Sequence, residues 1–80
     1  MVYTDKKHLV ADNLTELHQF AASIGLKRHY FHGSMKGHSH YDITNKDTLQ
    51  RVLDEGIKNG IIIVSSKTIL KISKLMRISL

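Results

Sequence analysis

Residues 8–26 read HLVADNLTELHQFAASIGL, and this stretch decides how the chain is expected to fold. Its first four residues, His8 to Ala11, are a short β-prone segment. Asn13 and Glu16 have the spacing of a capping box, in which side chains satisfy backbone amides at the start of a helix. Apolar residues then recur at intervals of three and four as far as Gly25, which suits the left-handed conformation that follows a helix. A short strand leading into an amphipathic helix is therefore predicted.

The second half of the chain predicts another helix, a strand and a third helix. Thr44 or Asn45 is expected to cap the second helix, which should end at Gly60. The residues of its apolar face are Leu49, Val52, Leu53 and Ile57. The run Ile61 to Val64 is continuous and β-branched, so we expect it to form the central strand of the sheet, in parallel pairing with His8 to Ala11. We predict one α/β or α+β domain over residues 1–80, with a core in residues 1–66, two or three covering helices and a basic C-terminal helix at about residues 66–78.

Size and composition restrict the class of protein. A chain of 80 residues buries only about 60 to 65% of the surface that its unfolded form exposes, so we expect a homo-oligomer that buries more. The lack of cysteine excludes disulfides, thiolate zinc sites and cysteine nucleophiles. No apolar run approaches the roughly 20 residues that span a bilayer, and no signal segment is evident, so a soluble cytoplasmic protein without a membrane partner is expected. The formal net charge of +5 favours anionic partners such as phosphates or nucleotides.

A functional site is expected in residues 26–44, LKRHYFHGSMKGHSHYDIT, which contain four of the six histidines. Arg28 can give paired hydrogen bonds to a phosphate, and Tyr30 or Tyr41 can stack on a base. His38, His40 and Asp42 alternate, so an extended backbone would point all three to one side. Two imidazoles and a carboxylate there could hold zinc, manganese or iron, or act as proton donors around a phosphate.

Other features point to competing classes of function. No Gly-rich phosphate loop and no serine-nucleophile motif is present. A row of cations on the last helix could follow a nucleic acid, but such a row is more typical of a solvated face. Its members are Lys67, Lys71, Lys74 and Arg77. His18, on the apolar stripe of the first helix, is expected to be a buried, hydrogen-bonded side chain, and Phe31 to be mainly core.

An ordered set of short motifs runs along the chain: His8-Leu-Val-Ala-Asp12, Leu14, Glu16-Leu17-His18, Phe20-Ala21, Ile24-Gly25-Leu26, Arg28, Phe31 and His40-Tyr41-Asp42. This set resembles the small bacterial and phage family called domain of unknown function 4031. The resemblance covers roughly residues 1–70 and departs at residues 4–7, where the family generally has a longer insertion with Arg and Pro. It implies no activity. It implies that the characteristic polar positions of the family are His8, Asp12, His18, Arg28, His40, Tyr41 and Asp42.

The leading hypothesis is a protein that captures a small phosphorylated ligand, with a nucleotide as the first candidate, without turnover or a cofactor. By analogy with small phage proteins that sequester immune signalling nucleotides, a phage-encoded copy would bind such a signal. The predicted ligand-binding residues are His8, Lys27, Arg28, His29, His40, Tyr41 and Asp42. The alternative is a nucleotide phosphodiesterase or metal-assisted hydrolase that uses His38, His40 and Asp42 with a divalent metal. A nucleic-acid or protein interaction module is the third hypothesis.

Overall fold

The computed structural model describes residues 1–32 and 39–76, and in these two ranges three helices cover a five-stranded mixed sheet. The strands are β1 (Val2–Thr4), β2 (His8–Ala11), β3 (Phe31–His32), β4 (His40–Asp42) and β5 (Ile62–Ile63). The helices are α1 (Leu14–Ser23), α2 (Lys46–Asn59) and α3 (Ser66–Leu75), with a single 3-10 turn at Arg28–Tyr30. This arrangement confirms the predicted α+β class. No helix in the described part of the chain is long and apolar enough to cross a membrane.

The described strands lie in the order β3-β4-β2-β1-β5. β2 pairs antiparallel with β1 on one side and with β4 on the other, while β5 pairs in parallel with β1. The prediction that residues 61–64 form the central strand beside β2 is therefore wrong. β1 and β4 already occupy the two edges of β2, so β5 pairs with the remaining edge of β1. Ile62 and Ile63 are exposed as a result.

Local capping sets the helix boundaries as predicted. Asn13 accepts a hydrogen bond from the backbone amide of Glu16 at 2.8 Å, and Asn45 accepts one from the amide of Thr48 at 2.8 Å. The backbone is left-handed after both helices, with a φ of 74° at Gly25 and 78° at Gly60. The Glu16 side chain differs from a full capping box, because it binds the N-terminal ammonium group at 2.6 Å.

Different helices cover the two faces of the sheet. Leu9 and Tyr41 lie opposite one another on the face covered by α1, where the Tyr41 hydroxyl contacts His18. Val10 points to the other face, because successive strand residues alternate, and α3 packs against β2 there. The buried apolar residues are Val2, Leu9, Val10, Ala11, Leu17, Phe20, Ala21, Ile24, Leu26, Tyr41, Val52, Ile69 and Met76. The last two come from α3 and its C-cap, so the core extends beyond residue 66, where it was expected to end.

The apolar face of α2 differs from the prediction at Ile57, which is 84% exposed. The buried positions of α2 are Val52 and Gly56, which lie one turn apart on the same side. A Cβ atom at Gly56 would collide with the side chain of Ile61, so the close contact at this point requires glycine. Ile57 is the next residue around the helix and consequently points to solvent.

Candidate functional site

Three neighbouring strands bring four polar side chains to one face of the sheet. His8 on β2 lies directly opposite Asp42 on β4, and His32 on β3 lies directly opposite His40 on β4. Residues that lie opposite one another share a face, and residues two apart in one strand share it as well. The register of the sheet therefore gathers His8, His32, His40 and Asp42, here called the histidine–aspartate cluster.

Asp42 lies among the three imidazoles of this cluster. Its Oδ2 atom is 2.8 Å from His32 Nε2, and its Oδ1 atom is 3.3 Å from His40 Nε2 and 3.9 Å from His8 Nε2. The His8 and His40 rings are nearly perpendicular, with centroids 5.3 Å apart, whereas the His32 and His40 rings stack at the same separation. One carboxylate therefore faces the Nε2 atoms of three histidines.

Three members of the cluster lie close enough together to be candidate ligands of one metal ion. His8, His40 and Asp42 each offer a ligand atom, and these atoms lie within 4.8 Å of one another. Zinc bonds to imidazole and carboxylate are about 2.0–2.2 Å long, so two ligands of one ion are at most about 4.3 Å apart. The two distances to Asp42 already meet this limit. Two histidines and one carboxylate suit zinc or iron(II) and leave coordination positions open.

Asp5 fixes the orientation of His8 from behind. Its carboxylate lies 3.1 Å from His8 Nδ1, and only 3% of its side chain is exposed. The same carboxylate accepts hydrogen bonds from the Ser66 hydroxyl at 2.8 Å and from the backbone amides of Lys7 and His8 at 2.9 and 2.7 Å. Burial raises the pKa of Asp5, but the hydrogen bonds from His8, Lys7 and Ser66 outweigh it and lower the pKa to about 2.

An ionised Asp5 determines which nitrogen of His8 faces the cluster. The carboxylate favours a proton on Nδ1, so the Nε2 lone pair is directed towards Asp42 and His40. A carboxylate behind a histidine is the usual support of a metal-binding imidazole, because it fixes the tautomer and raises the basicity of the ligand nitrogen. The sequence does not single out Asp5, since residues 4–7 have the composition of a polar turn. The available signal is an acidic residue three positions before a strand histidine.

A cleft of about 290 Å³ opens beside the cluster, on the side covered by α3. The described residues that line it are His8, His40, Ser66, Ile69, Leu70 and Ser73. We call it the α3 cleft. Two histidines of the cluster thus form part of a concave surface, as expected for a site that receives a small molecule.

The other residues predicted for a ligand pocket lie elsewhere. Phe31 and His32 are consecutive in β3 and therefore point to opposite faces. The Arg28 guanidinium lies over the Phe31 ring, 6.0 Å from its centroid, on the face opposite the cluster. Lys27 and His29 are exposed, and the His29 ring packs on Tyr30. The structure therefore brings together His8, His40 and Asp42 of the predicted set, and separates them from Arg28. His38 lies outside the described residues.

Tyr41 is a core residue and does not offer a face for stacking. Only 1% of it is exposed, and its hydroxyl lies 2.7 Å from His18 Nδ1. The predicted hydrogen-bonded role of His18 is thereby confirmed. Burial, and then the charge of Arg28, lower the pKa of His18, while burial raises the pKa of Tyr41. Asp12 does not line the α3 cleft. Its carboxylate accepts hydrogen bonds from the N-terminal ammonium group and the Tyr3 hydroxyl.

Comparison of this chain with known proteins identifies one matching family. The model of a family described as "Protein of unknown function (DUF4031)" matches residues 3–75. Searches of the curated proteins and of the solved structures found no match. The matched region contains every member of the histidine–aspartate cluster together with Asp5. Because the match covers most of its length, the chain belongs to the DUF4031 family.

Proposed function

We propose that this protein is a metal-dependent hydrolase in which His8, His40 and Asp42 hold a divalent cation. The observation that supports this proposal is the convergence of the three ligand atoms within 4.8 Å at the edge of the α3 cleft. Zinc is the first candidate, because two imidazoles and one carboxylate form a common ligand set for catalytic zinc.

The residues around the cation have distinct tasks in this proposal. A zinc ion held by these residues with open positions would lower the pKa of a bound water to about 7 and would polarise a carbonyl or phosphoryl oxygen. Asp5 holds His8 in the tautomer that can bind the ion. His32 is 55% exposed and pairs with Asp42 at 2.8 Å, so it stands at the open side of the cluster, where it can transfer a proton to a leaving group.

Capture of a phosphorylated ligand without turnover is the second candidate function. The net charge of +5 favours it. The separation of the predicted phosphate contacts weighs against it, because Arg28 packs over Phe31 on the other face of the sheet. We therefore place hydrolysis first. Homo-oligomerisation stays a prediction, as does binding to nucleic acid.

Metal binding is the first test. The protein is stripped with a chelator, dialysed and titrated with Zn²⁺, Mn²⁺ or anaerobic Fe²⁺ in competition with a chromophoric chelator. We expect one ion per chain, and a loss of affinity of at least about 100-fold in His40→Ala and Asp42→Ala. His29→Ala is the matched control, because His29 is exposed and contacts Tyr30 instead of the cluster. Absence of stoichiometric binding by the unmodified protein would overturn the proposal.

Turnover is the second test. The metal-loaded protein is incubated with p-nitrophenyl acetate, bis(p-nitrophenyl) phosphate and a panel of mono-, di- and cyclic nucleotides, and the products are separated by HPLC. Metal-dependent product formation that Asp42→Ala abolishes supports hydrolysis. Intact nucleotide released only after heat denaturation, with no product from any compound, supports capture and contradicts the hydrolase.

A further inference from the structure

The α3 cleft is continuous with the proposed metal site. His8 and His40 line the cleft and are also two of the three proposed ligands. A molecule that occupies an open coordination position between these residues must therefore place its remaining atoms in or beside the cleft. The lining residues from α3 then determine which chemical group is accepted next to the reacting atom.

The α3 side of the cleft has little capacity to bind a charged group. The Ser66 hydroxyl donates its hydrogen bond to Asp5 at 2.8 Å, and the Ser73 hydroxyl donates to the carbonyl oxygen of Leu70 at 2.9 Å. The two other lining residues of α3 are Ile69 and Leu70. None of the described lining residues is a lysine, an arginine or a carboxylate. A charged group placed against these α3 residues would lose part of its hydration without gaining a charged partner from them, which is costly.

The size of the cleft limits the group that it can hold. Its volume of about 290 Å³ is close to the lower end of small-molecule pockets, about 300 Å³. Leu70 lies at the rim and is 47% exposed, so a ligand that covers it would remove apolar surface from water.

We propose that the substrate joins an oxygen donor, which binds the metal, to a small apolar acyl or aryl group, which lies in the α3 cleft. This inference rests on the proposed metal site. It deepens the proposed function by assigning the substrate class, an ester, amide or related compound whose apolar side lies in the cleft.

Hydroxamates of increasing chain length test the inference, because the hydroxamate oxygens bind zinc while the chain probes the cleft. Acetohydroxamate, butanohydroxamate and hexanohydroxamate are titrated calorimetrically into the zinc-loaded protein. Full burial of one methylene gives about a fourfold gain in affinity. We expect hexanohydroxamate to bind at least tenfold more tightly than acetohydroxamate, and neither to bind measurably to the metal-free protein.

Two leucine variants on α3 test whether the gain in affinity with hydroxamate chain length arises in the α3 cleft. Leu70→Ser is expected to reduce the gain between the shortest and longest hydroxamate by at least threefold. Leu75→Ser is the matched control, because Leu75 is on the same helix, is 78% exposed and does not line the cleft. This control should retain the full gain. Both positions are exposed enough for the variants to fold, which circular dichroism verifies.

Zinc affinity is measured first and separately, so the two proposals fail in different ways. Stoichiometric zinc with equal affinity for all three hydroxamates would overturn the apolar subsite and leave the metal site standing. An unchanged gain in Leu70→Ser would overturn the assignment of the α3 cleft. Failure to bind zinc would overturn the metal site, and the inference with it.

Discussion

Asp5 and His8 form a carboxylate–imidazole pair, in which Oδ2 of the buried Asp5 lies 3.1 Å from Nδ1 of the partly exposed His8. The opposite nitrogen of the same ring, Nε2, lies 3.9 Å from Asp42 Oδ1. His8 is therefore bracketed by a buried carboxylate on one side and by a solvent-facing carboxylate on the other. The inner carboxylate is anchored to α3 through Ser66, so the hairpin turn, the central strand and the last helix together determine the orientation of one imidazole.

Replacement of the inner carboxylate should weaken metal binding without removing a ligand. We expect Asp5→Asn to lower zinc affinity by about 10- to 100-fold, which is typical of lost support behind a metal-binding histidine. Asp54→Asn on the exposed side of α2 is the control and should leave the affinity unchanged. Competition with a chromophoric chelator measures both variants, and thermal unfolding verifies that they fold. Equal affinity in Asp5→Asn and the unmodified protein would refute the supporting role of Asp5.

Replacement of Arg28, which lies on the sheet face opposite the histidine–aspartate cluster, distinguishes the two candidate functions. Arg28 lies over Phe31 and not over the histidine–aspartate cluster, so Arg28→Ala should change zinc affinity by less than about twofold. The pKa of His18 should rise in the same variant, because the charge of Arg28 contributes to lowering it. Isothermal titration and a histidine NMR titration measure the two effects. A loss of nucleotide binding in Arg28→Ala, with zinc binding intact, would instead favour capture of a phosphorylated ligand.

The pH dependence of stability should include a contribution from His18. Its pKa in the folded protein lies below the ordinary value of 6.5, chiefly because of burial. As the pH falls below 6.5, the unfolded chain therefore takes up the proton first. The stabilising contribution is present above pH 6.5 and is lost as the pH falls through the folded pKa.

NMR titration and thermal unfolding between pH 8 and pH 5 check this expectation. The His18 ring should titrate with a midpoint below 6.5, and His18→Gln should show a smaller loss of Tm on acidification than the unmodified protein. His29→Gln serves as the control, since His29 is exposed. A titration midpoint of the His18 ring above pH 6.5 would contradict the burial of this ring in the structure.

Replacement of Gly56 by alanine should destabilise the folded protein, although Gly56 lies inside a helix, because Gly56 is in close contact with Ile61. Alanine is normally favoured over glycine inside a helix by about 1 kcal/mol. At Gly56 the added Cβ would collide with Ile61, and such overpacking typically costs about 1–3 kcal/mol. We expect a net loss of stability of about 1 kcal/mol in urea unfolding, and a partial recovery in the double variant Gly56→Ala with Ile61→Ala. A single variant as stable as the unmodified protein would contradict the packing.

Features that depend on neighbouring residues are predictable from the sequence. Asn13, Asn45 and Ser65 cap the three described helices because each side chain accepts a hydrogen bond from an amide three residues ahead. Gly25 and Gly60 end α1 and α2 because only a residue without a Cβ adopts the left-handed conformation at low cost. The predicted ends are correct for this reason.

Features that depend on strand pairing are harder to predict. A run of isoleucines is typical of a buried central strand, yet Ile62 and Ile63 lie at the edge because the hairpin and β4 occupy both sides of β2. The register of strand pairing also determines which side chains meet in the histidine–aspartate cluster. Alternation along β4 predicts that His40 and Asp42 share a face, whereas His8 and His32 reach Asp42 only through cross-strand pairing, and Asp5 only through the hairpin turn.

X-ray absorption spectroscopy of the zinc-loaded protein tests the central claim most directly. The proposal predicts one zinc per chain with two imidazole nitrogens at about 2.0–2.1 Å and at least one oxygen ligand at about 2.0–2.2 Å. His40→Ala should remove one imidazole from the ligand shell, and His29→Ala should leave it unchanged. A shell of oxygen atoms without imidazole scattering, or the same imidazole shell in His40→Ala, would contradict a metal site formed by His8, His40 and Asp42.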